Sequence, residues 1–423
     1  MLDKIDVLVV GSGAREHALA WKIKQSPRLG KLYMAPGNGG TKEIAENIPI
    51  QPTDINALAD FAENRKIGLT VVSQPNPLYL GVVDLFASRR LNIFGPTKKA
   101  AAIEHSKTFG KDFMKRNGIK TSDFKVFSDP NEALKYVQSR KFPLVIKKTG
   151  LAFGLGSYVC KSFEDAEDAI NKIMIRKVHG TDTPNDVLVE DFVGGEEISI
   201  HAISDGRLSI LFPPARDYKP LCDGNSGPNT ASMGSYAPVG GVSDETMREI
   251  KRDVVDKAID GLRNEGALFK GCLFPGLKGE NGGFYVLEYN SRFGDPETVV
   301  FMRLLKSDAL DILLASANGA LDTAQVEWNK GYAVCVVMAS RGYPGPHEEG
   351  FPIYGIKKAA GIPEVVVFHA GTSYDNGEYK TSGAKVLCVS ATGESLDEAR
   401  SRAYQVVDLI KFDGMQFRRD IGK

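Results

Sequence analysis

The sequence has no surplus of either charge. Lys+Arg and Asp+Glu both number 53, so the formal net charge is zero. Such a chain has no global field to draw it to nucleic acid or to an anionic membrane. Cysteine is scarce: Cys160, Cys222, Cys272, Cys335 and Cys388 are scattered along the chain. Their odd number and the lack of a C-x-x-C pair argue against a disulfide framework and a zinc site. A reducing cytoplasm is the expected location. No apolar run approaches the ~18 residues of a membrane span. The start, Met1-Leu2-Asp3-Lys4-Ile5-Asp6, lacks the basic and apolar regions of a signal peptide. Low-complexity tracts and internal repeats are missing too. What remains is a globular composition, 42% apolar and 25% charged, with 423 residues to fill two or three cores.

The first hundred residues alternate strand and helix signals. Apolar runs at 5–10, 31–35, 69–72 and 91–94 predict buried strands, with helices at 15–25, 54–65 and 79–89. Thr53 or Asp54 is the expected N-cap of the second helix. This alternation specifies a doubly wound parallel sheet. Residues 98–117 read as two short helices around Ser106-Lys107. Strands near 124–127 and 143–148 and a helix at 163–174 follow. Close-set strands at 186–191, 196–204 and 207–213 indicate an antiparallel sheet. Residues 214–242 are polar and Gly-rich and read as a long loop, a feature that is usually functional or disordered. A helix at 244–264, strands at 270–277 and 283–290, and helices to about 317 come next. Strands at 332–338, 364–368 and 385–391 and a helix at 395–409 end the chain. The expected fold class is multidomain, α/β and α+β. An N-terminal doubly wound domain spans 1–103 and a central domain 104–325, with a glycine-loop subdomain at about 124–192. A small α+β domain spans 326–423.

Three stretches carry chemistry. The first is Leu287-Glu288-Tyr289-Asn290-Ser291-Arg292-Phe293-Gly294-Asp295-Pro296-Glu297-Thr298. Side chains two apart on a strand share a face, so Glu288 and Asn290 can hold one hard cation between them. Mg²⁺ (or Mn²⁺) suits such oxygen donors and keeps positions for water and phosphate. Arg292 follows as an anion clamp, and Pro296 is expected at the first position of a helix. Alone, a Glu-x-Asn pair reads as surface charge on an ordinary strand; the whole string does not.

The second stretch, Gly11-Ser12-Gly13-Ala14-Arg15-Glu16-His17, imitates a dinucleotide fingerprint. Its third glycine position is Glu16, and the second strand ends in Ala35-Pro36-Gly37 rather than an acid for a ribose hydroxyl. A nicotinamide-dependent dehydrogenase is therefore disfavoured. A glycine turn at a helix N-terminus still suits a phosphate. His17 reads as structural, and His105, His179, His201 and His347 read as ordinary packing or surface residues.

The third stretch is Val145-Ile146-Lys147-Lys148-Thr149-Gly150-Leu151-Ala152-Phe153-Gly154-Leu155-Gly156-Ser157, a strand, a glycine-rich loop and a second strand. It lacks the P-loop order. Such a loop can cover a triphosphate with backbone N–H groups, including those near Gly154 and Gly156. Lys147 at the strand end can reach the phosphates. Lys148 should point to the opposite strand face. About forty residues on, a hinge at Glu190-Asp191-Phe192 can meet an adenine edge, and Glu197 can hold ribose hydroxyls.

Loop, hinge and Glu-x-Asn in this order resemble the ATP-grasp ligases. Within them, the chain is similar to the phosphoribosylamine–glycine ligase family of purine synthesis. The likeness is carried by Arg15-Glu16-His17-Ala18-Leu19-Ala20-Trp21, Ala35-Pro36-Gly37-Asn38-Gly39-Gly40-Thr41, Gly227-Pro228-Asn229-Thr230 and the Arg292–Thr298 string. Gly342-Tyr343-Pro344-Gly345, Phe368-His369-Ala370-Gly371-Thr372 and Arg419-Asp420-Ile421-Gly422 extend it toward the C-terminus. The resemblance implies an ATP-grasp core at 104–325 between the two other domains. It implies ATP as substrate with Mg²⁺ at Glu288 and Asn290. Lys107, Lys147, Gly154, Gly156, Glu190, Phe192 and Glu197 would bind the nucleotide. Gly13, Arg15, Asn38, Asp217, Asn229 and Arg292 would bind substrate. Arg292, Asp295 and Lys147 would be catalytic. Glycine and 5-phosphoribosylamine would be joined through an acyl phosphate, with closure of the glycine loop keeping water out. A monomer is expected, since no helix shows a self-pairing apolar stripe.

Departures from the family pattern fall at ligand-facing motifs. Where the family's loop reads Asp-Gly-Leu-Ala-Ala-Gly-Lys-Gly, this chain has Thr149, Phe153 and Leu155, so the loop lysine is gone. Ser73-Gln74-Pro75-Asn76 replaces a Gly-Pro-Glu, Ala231-Ser232 a Gly-Gly, Arg216 a glutamine and Pro220 an arginine. These changes keep two alternatives open: an ATP-grasp ligase acting on another acid or amine, and a nucleotide-binding protein with little catalysis.

Overall fold

The computed structural model describes residues 4–150, 155–181, 183–280 and 283–423. Its first sheet is wholly parallel, in the spatial order Glu46–Asn47, Leu29–Pro36, Ile5–Gly11, Leu69–Val72, Ile93–Phe94. The central strand is apolar on both faces because helices cover both; Val7, Leu8, Val9 and Val10 are fully buried. Asp54 caps the helix Ile55–Asn64 by accepting from the Ala57 N–H at 3.1 Å. The expected helix at 79–89 is two helices, Pro75–Leu80 and Val82–Ser88, separated by Gly81 at φ 91°. That left-handed backbone suits glycine.

The central section builds two antiparallel layers. One sheet runs Phe124–Phe127, Val187–Asp191, Leu144–Lys148, Ser157–Cys160. The other is organised by the long strand Lys270–Glu280, which pairs with Glu197–Ser199, Ala202–Asp205 and Gly283–Asn290. Facing edges of these layers leave a cleft between them. The predicted helix at 244–264 is interrupted by a π-helical segment, Lys251–Asp256.

The expected loop at 214–242 is corrected by the structure. Strands Arg216–Asp217 and Gly234–Ala237 lie in it, and Pro220–Cys222 pairs with Ser226–Asn229 as a separate hairpin. These strands are too short and glycine-rich to show a period-two pattern. Arg216–Asp217 and Gly234–Ala237 join the C-terminal sheet, whose order continues through Tyr332–Ala339, Lys385–Gly393 and Val365–His369. The sheet of the last section is therefore not made from residues beyond 325 alone. Helix Leu396–Leu409 covers one of its faces through Ala399, Ala403, Val406 and Val407. Pro296 is the N-cap of helix Glu297–Leu304 rather than its first residue.

First and last sections meet at a buried polar corner. Asn38 donates to the Ser12 carbonyl at 2.7 Å and to the His369 carbonyl at 2.8 Å. His17 Nδ1 accepts the His369 N–H at 3.0 Å, and His369 Nδ1 lies 2.9 Å from the Thr372 hydroxyl. His17 is thus structural, as its position in the first helical turn implies. Burial pushes His17 down to about 4 and His369 down to about 3. Both imidazoles are neutral in the fold but take a proton near pH 6.5 when unfolded. Stability is therefore complete above pH 6.5 and is lost as the pH falls toward 4. His17→Asn should flatten the fall in thermal midpoint between pH 6.5 and 5, recovering roughly 1–2 kcal/mol of acid sensitivity. An unchanged pH slope would remove His17 as a source.

Candidate active site

A cleft of about 500 Å³ opens between the two central layers. Lys107, Lys147, Gly156, Glu190, Phe192, Glu197, Asp217, Asn229, Glu288, Asn290 and Arg292 all line it. Seven helices and strands, with the segments that adjoin them, thus bring eleven of the expected residues to one place. Gly154, Phe153 and the rest of 151–154 lie outside the described residues.

Glu288 and Asn290 do share a face. A bulge at Leu287, where Gly276 pairs with Glu288 and Leu277 with Val286, turns the end of the strand into the cleft. No hydrogen-bond donor among the described residues reaches the Glu288 carboxylate. Burial alone would raise its pKa. Lys107, Lys147, Lys219 and Arg292 outweigh burial and hold it at about 2. Asn290 Oδ1 accepts from Arg292 at 2.9 Å, and its amide donates to the Phe274 carbonyl at 3.3 Å. One open carboxylate and one amide oxygen suit a hard cation that takes its other ligands from water and phosphate. Among the described residues no group of three His, Cys, Asp or Glu forms a self-sufficient metal cage.

Three of the four cations around Glu288 have a carboxylate of their own; among the described residues Lys107 reaches only the Gly150 carbonyl, at 3.4 Å. Lys147 lies 2.5 Å from Glu190 Oε1 and 3.3 Å from the Leu287 carbonyl. Lys111 lies 2.5 Å from Glu190 Oε2, which also accepts from the Ser122 hydroxyl at 2.9 Å. Burial would raise the Glu190 carboxyl, but the two lysines keep it below its usual range. Burial draws Lys111 down to about 8 and also lowers Lys107, which Glu288 partly restores. Lys219 pairs with Glu197. Burial works against the Lys219 ammonium, yet Glu197 and Asp217 hold it above the ordinary lysine range. Arg292 Nε donates to Glu104 at 3.0 Å, and Glu104 also accepts the Ser291 N–H and hydroxyl at 2.8 Å each. Lys148 faces away from the cleft, as its position predicts, and reaches the His179 and Gly180 carbonyls at 3.1 and 3.2 Å.

Four expected residues do not line this cleft. Gly13 gives its N–H to Glu16 at 2.9 Å. Arg15 Nε donates to Glu16 at 2.6 Å and its Nη1 to the Phe293 carbonyl at 3.0 Å. Glu16 thereby supplies an internal anion at the glycine turn, and Ser73 completes it with a 2.6 Å hydrogen bond. A Cβ at Gly11 would come within 2.5 Å of Glu16, so the turn is filled by this side chain. Asn38 spends its amide at the corner described above. Asp295 is held by Lys385 at 3.3 Å, while its Oδ1 is buried without a hydrogen-bond partner among the described residues. Burial would raise the Asp295 carboxyl, but Lys385 and Arg15 keep it low.

Sequence reasoning missed Glu104, Lys111, Lys219, Lys385 and His201. Lys219 had a usable signal, because it stands two residues beyond Asp217. His201 had none; it is fully buried, and its Nε2 accepts the Gly294 N–H at 3.0 Å, fixing the turn after Arg292. Two departures have local partners. Arg216 pairs with Glu196 at 2.5 Å. Ser232 adopts φ 82°, a region that favours glycine, and its hydroxyl bonds the Gly234 N–H and carbonyl at 3.1 and 3.0 Å.

Comparison with known proteins agrees with this arrangement. The N, ATP-grasp (A) and C domains of phosphoribosylglycinamide synthetase match residues 5–104, 105–298 and 333–423. The chain is 42% identical over 419 residues to phosphoribosylamine–glycine ligase of Clostridium acetobutylicum, covering 99% of each. It is 41% identical over 423 residues to that of Vibrio cholerae, covering 99% of this chain and 98% of the relative. The crystal structure of the Thermotoga maritima phosphoribosylamine–glycine ligase superposes with a TM-score of 0.86 at 34% identity, over 99% of this chain and 100% of that one. From end to end, this chain belongs to the phosphoribosylglycinamide synthetase family, with an ATP-grasp domain at its centre.

Proposed function

We propose that the protein is an ATP-dependent ligase that joins glycine to 5-phosphoribosylamine in purine synthesis, releasing ADP and phosphate. The observation that carries this reading is the open Glu288 carboxylate, set among Lys107, Lys147, Lys219 and Arg292. An open carboxylate with four cations around it, three of them already balanced by Glu190, Glu197 and Glu104, suits a metal-bound polyphosphate better than a neutral ligand. The names of the relatives supply the pair of substrates.

In this reading the glycine carboxylate attacks the γ-phosphorus of ATP, and the bond to the β-phosphate oxygen breaks as ADP leaves. The amine of phosphoribosylamine then attacks the glycyl carbonyl. Phosphate departs and the amine loses a proton. Lys107 and Lys147 balance phosphate charge, and the hinge at Glu190 and Phe192 borders the adenine. Glu197, which pairs with Lys219, would hold the ribose hydroxyls. Gly154 and Gly156 belong to the loop over the phosphates. Glu288 and Asn290 would hold Mg²⁺ or Mn²⁺, which when bound neutralises phosphate charge. Arg292, fixed by Glu104 and Asn290, is preset to meet an acyl phosphate. Asp295, held by Lys385 outside the cleft lining, would orient the incoming amine only after release from that pair. Asp217 and Asn229 border the substrate, and Gly13, Arg15 and Asn38 support the ribose-phosphate side. Positioning and fixed charge, rather than covalent help, supply the rate.

The division at 1–103, 104–325 and 326–423 is kept as a functional one, despite the shared sheet. Among the described residues no helix is long and apolar enough to cross a membrane. A cytoplasmic monomer acting on small molecules fits the reading. A ligase with a different acid or amine is the second reading; the altered Ala231-Ser232, beside the cleft wall, favours it.

The test is incubation with ATP, Mg²⁺, glycine and phosphoribosylamine formed in place from ribose 5-phosphate and ammonia. Glycinamide ribonucleotide and ADP should appear together by mass. ADP formed only with other acids or amines would replace the leading reading with the second. Glu288→Ala should lower turnover by about a thousandfold or more and abolish the Mg²⁺ dependence of ATP binding in titration; a rate near wild type would remove Glu288 from the site. Leu155→Lys should raise kcat by roughly ten- to a hundredfold, the worth of one charge-assisted hydrogen bond. No gain would place the lost charge elsewhere in the cleft.

A further inference from the structure

The hairpin Pro220–Cys222 and Ser226–Asn229 forms one wall of the cleft, contributing Pro220, Asn225 and Asn229 to its lining. Among the described residues it pairs with no other strand, and residues 222–229 are exposed. An isolated two-stranded hairpin is marginal in water. Its placement must therefore come from outside its own ladder.

The last six residues supply it. Arg418 has no exposed side-chain surface. Its Nη1 donates to the Pro220 carbonyl at 3.0 Å and its Nη2 to Asn225 Oδ1 at 3.0 Å. Asp420 holds the same guanidinium through two bonds of 2.7 Å and accepts the Gly224 N–H at 2.8 Å. Asp223 Oδ1 accepts the Arg419 N–H at 2.7 Å. The Gly422 N–H reaches the hydroxyl of Tyr218, itself a lining residue, at 3.1 Å, and the Arg418 guanidinium lies 4.9 Å from the Tyr218 ring centre. Ile421 anchors the tail as a fully buried core residue. The tail thus grips the tip of the hairpin and the strand leading into it, while Thr230 and Tyr343 tie its base.

We propose that Arg418, held by Asp420, is a positioning residue for catalysis: it sets the hairpin at the distance from Glu288 and Arg292 that substrate binding requires. This rests on the reading of Asn229 and its neighbours as substrate-facing. Arg418 touches no reacting atom. Its planar fork serves two acceptors on the hairpin and two carboxylate oxygens at once, which a lysine ammonium cannot reproduce in one plane.

The experiment compares Arg418→Met, Arg418→Lys, Asp420→Asn and Asn229→Ala. Measurements are KM for glycine and for phosphoribosylamine, kcat, ATP affinity by titration, and thermal midpoint. Arg418→Met should raise KM for at least one of the two small substrates by about tenfold or more while ATP affinity stays within about twofold. Arg418→Lys should fall between, and added guanidinium should restore part of the Arg418→Met loss. Asp420→Asn, which keeps the shape of the tail, should move the same KM in the same direction if Arg418→Met proves unstable. Equal losses in ATP affinity and substrate KM, or no KM change in folded variants, would overturn the positioning role. Asn229→Ala separates the two levels. If it raises a KM that the tail variants leave alone, the site reading stands and the tail proposal fails. If it leaves every KM unchanged, the substrate-facing reading itself fails.

Discussion

A cleft that accepts a polyphosphate needs several cations, and an empty cleft cannot leave them unpaired in a poorly hydrated interior. Most of the charged residues around the site answer that constraint. Glu190 neutralises Lys147 and Lys111, Glu197 serves Lys219, Glu104 serves Arg292, and Asp295 serves Lys385. Glu288 and Lys107 are the exceptions, an acid and a cation near each other with no direct ion pair among the described residues. In the proposed reading, binding of nucleotide would be an exchange of counterions: phosphate oxygens would share cations that carboxylates already hold in place. The lysines and arginines are ordered before the ligand arrives, so less conformational entropy is lost on binding. The same arrangement lowers net attraction for a bare anion and favours a ligand that brings its own metal.

Residue spacing carried the local geometry of the site. The two-residue interval between Glu288 and Asn290 put both on one face, and the adjacent positions of Lys147 and Lys148 sent them to opposite faces. Order along the chain carried the assembly: the strand before the glycine loop, the hinge and the Glu288–Asn290 strand, far apart in sequence, border one cleft. Partners from distant segments were not legible. Glu104 looked like one acid in a helical run, and Lys111 like one base in an amphipathic helix. Nothing in the local pattern says that Lys111 meets Glu190 across 79 residues of chain or that Glu16 fills its own glycine turn. These are tertiary facts, and only the folded backbone brings them out.

Fold class was legible for the same reason that the first sheet was. Continuous apolar strands alternating with helices have one economical packing, as Ile5–Gly11 and Leu69–Val72 illustrate. Short strands carried too little pattern. Glu46–Asn47 and Arg216–Asp217 are two residues each and owe their conformation to neighbours already in place. The stretch at 214–242 read as a loop because its polar residues face the cleft and its glycines serve turns. Its contribution to the last sheet is decided by pairing with Tyr332–Ala339, not by its own composition.

That pairing has a consequence for how the chain can be divided. Gly234–Ala237 covers one hydrogen-bonding edge of Tyr332–Ala339, and Lys385–Gly393 covers the other. A fragment beginning near residue 326 would bare a long, apolar strand edge, the kind of surface that recruits other chains into intermolecular sheets. The terminal section is thus an incomplete module on its own. Gene fission or a domain exchange at that linker would require a new edge strand, or would be punished by aggregation before any loss of chemistry was felt.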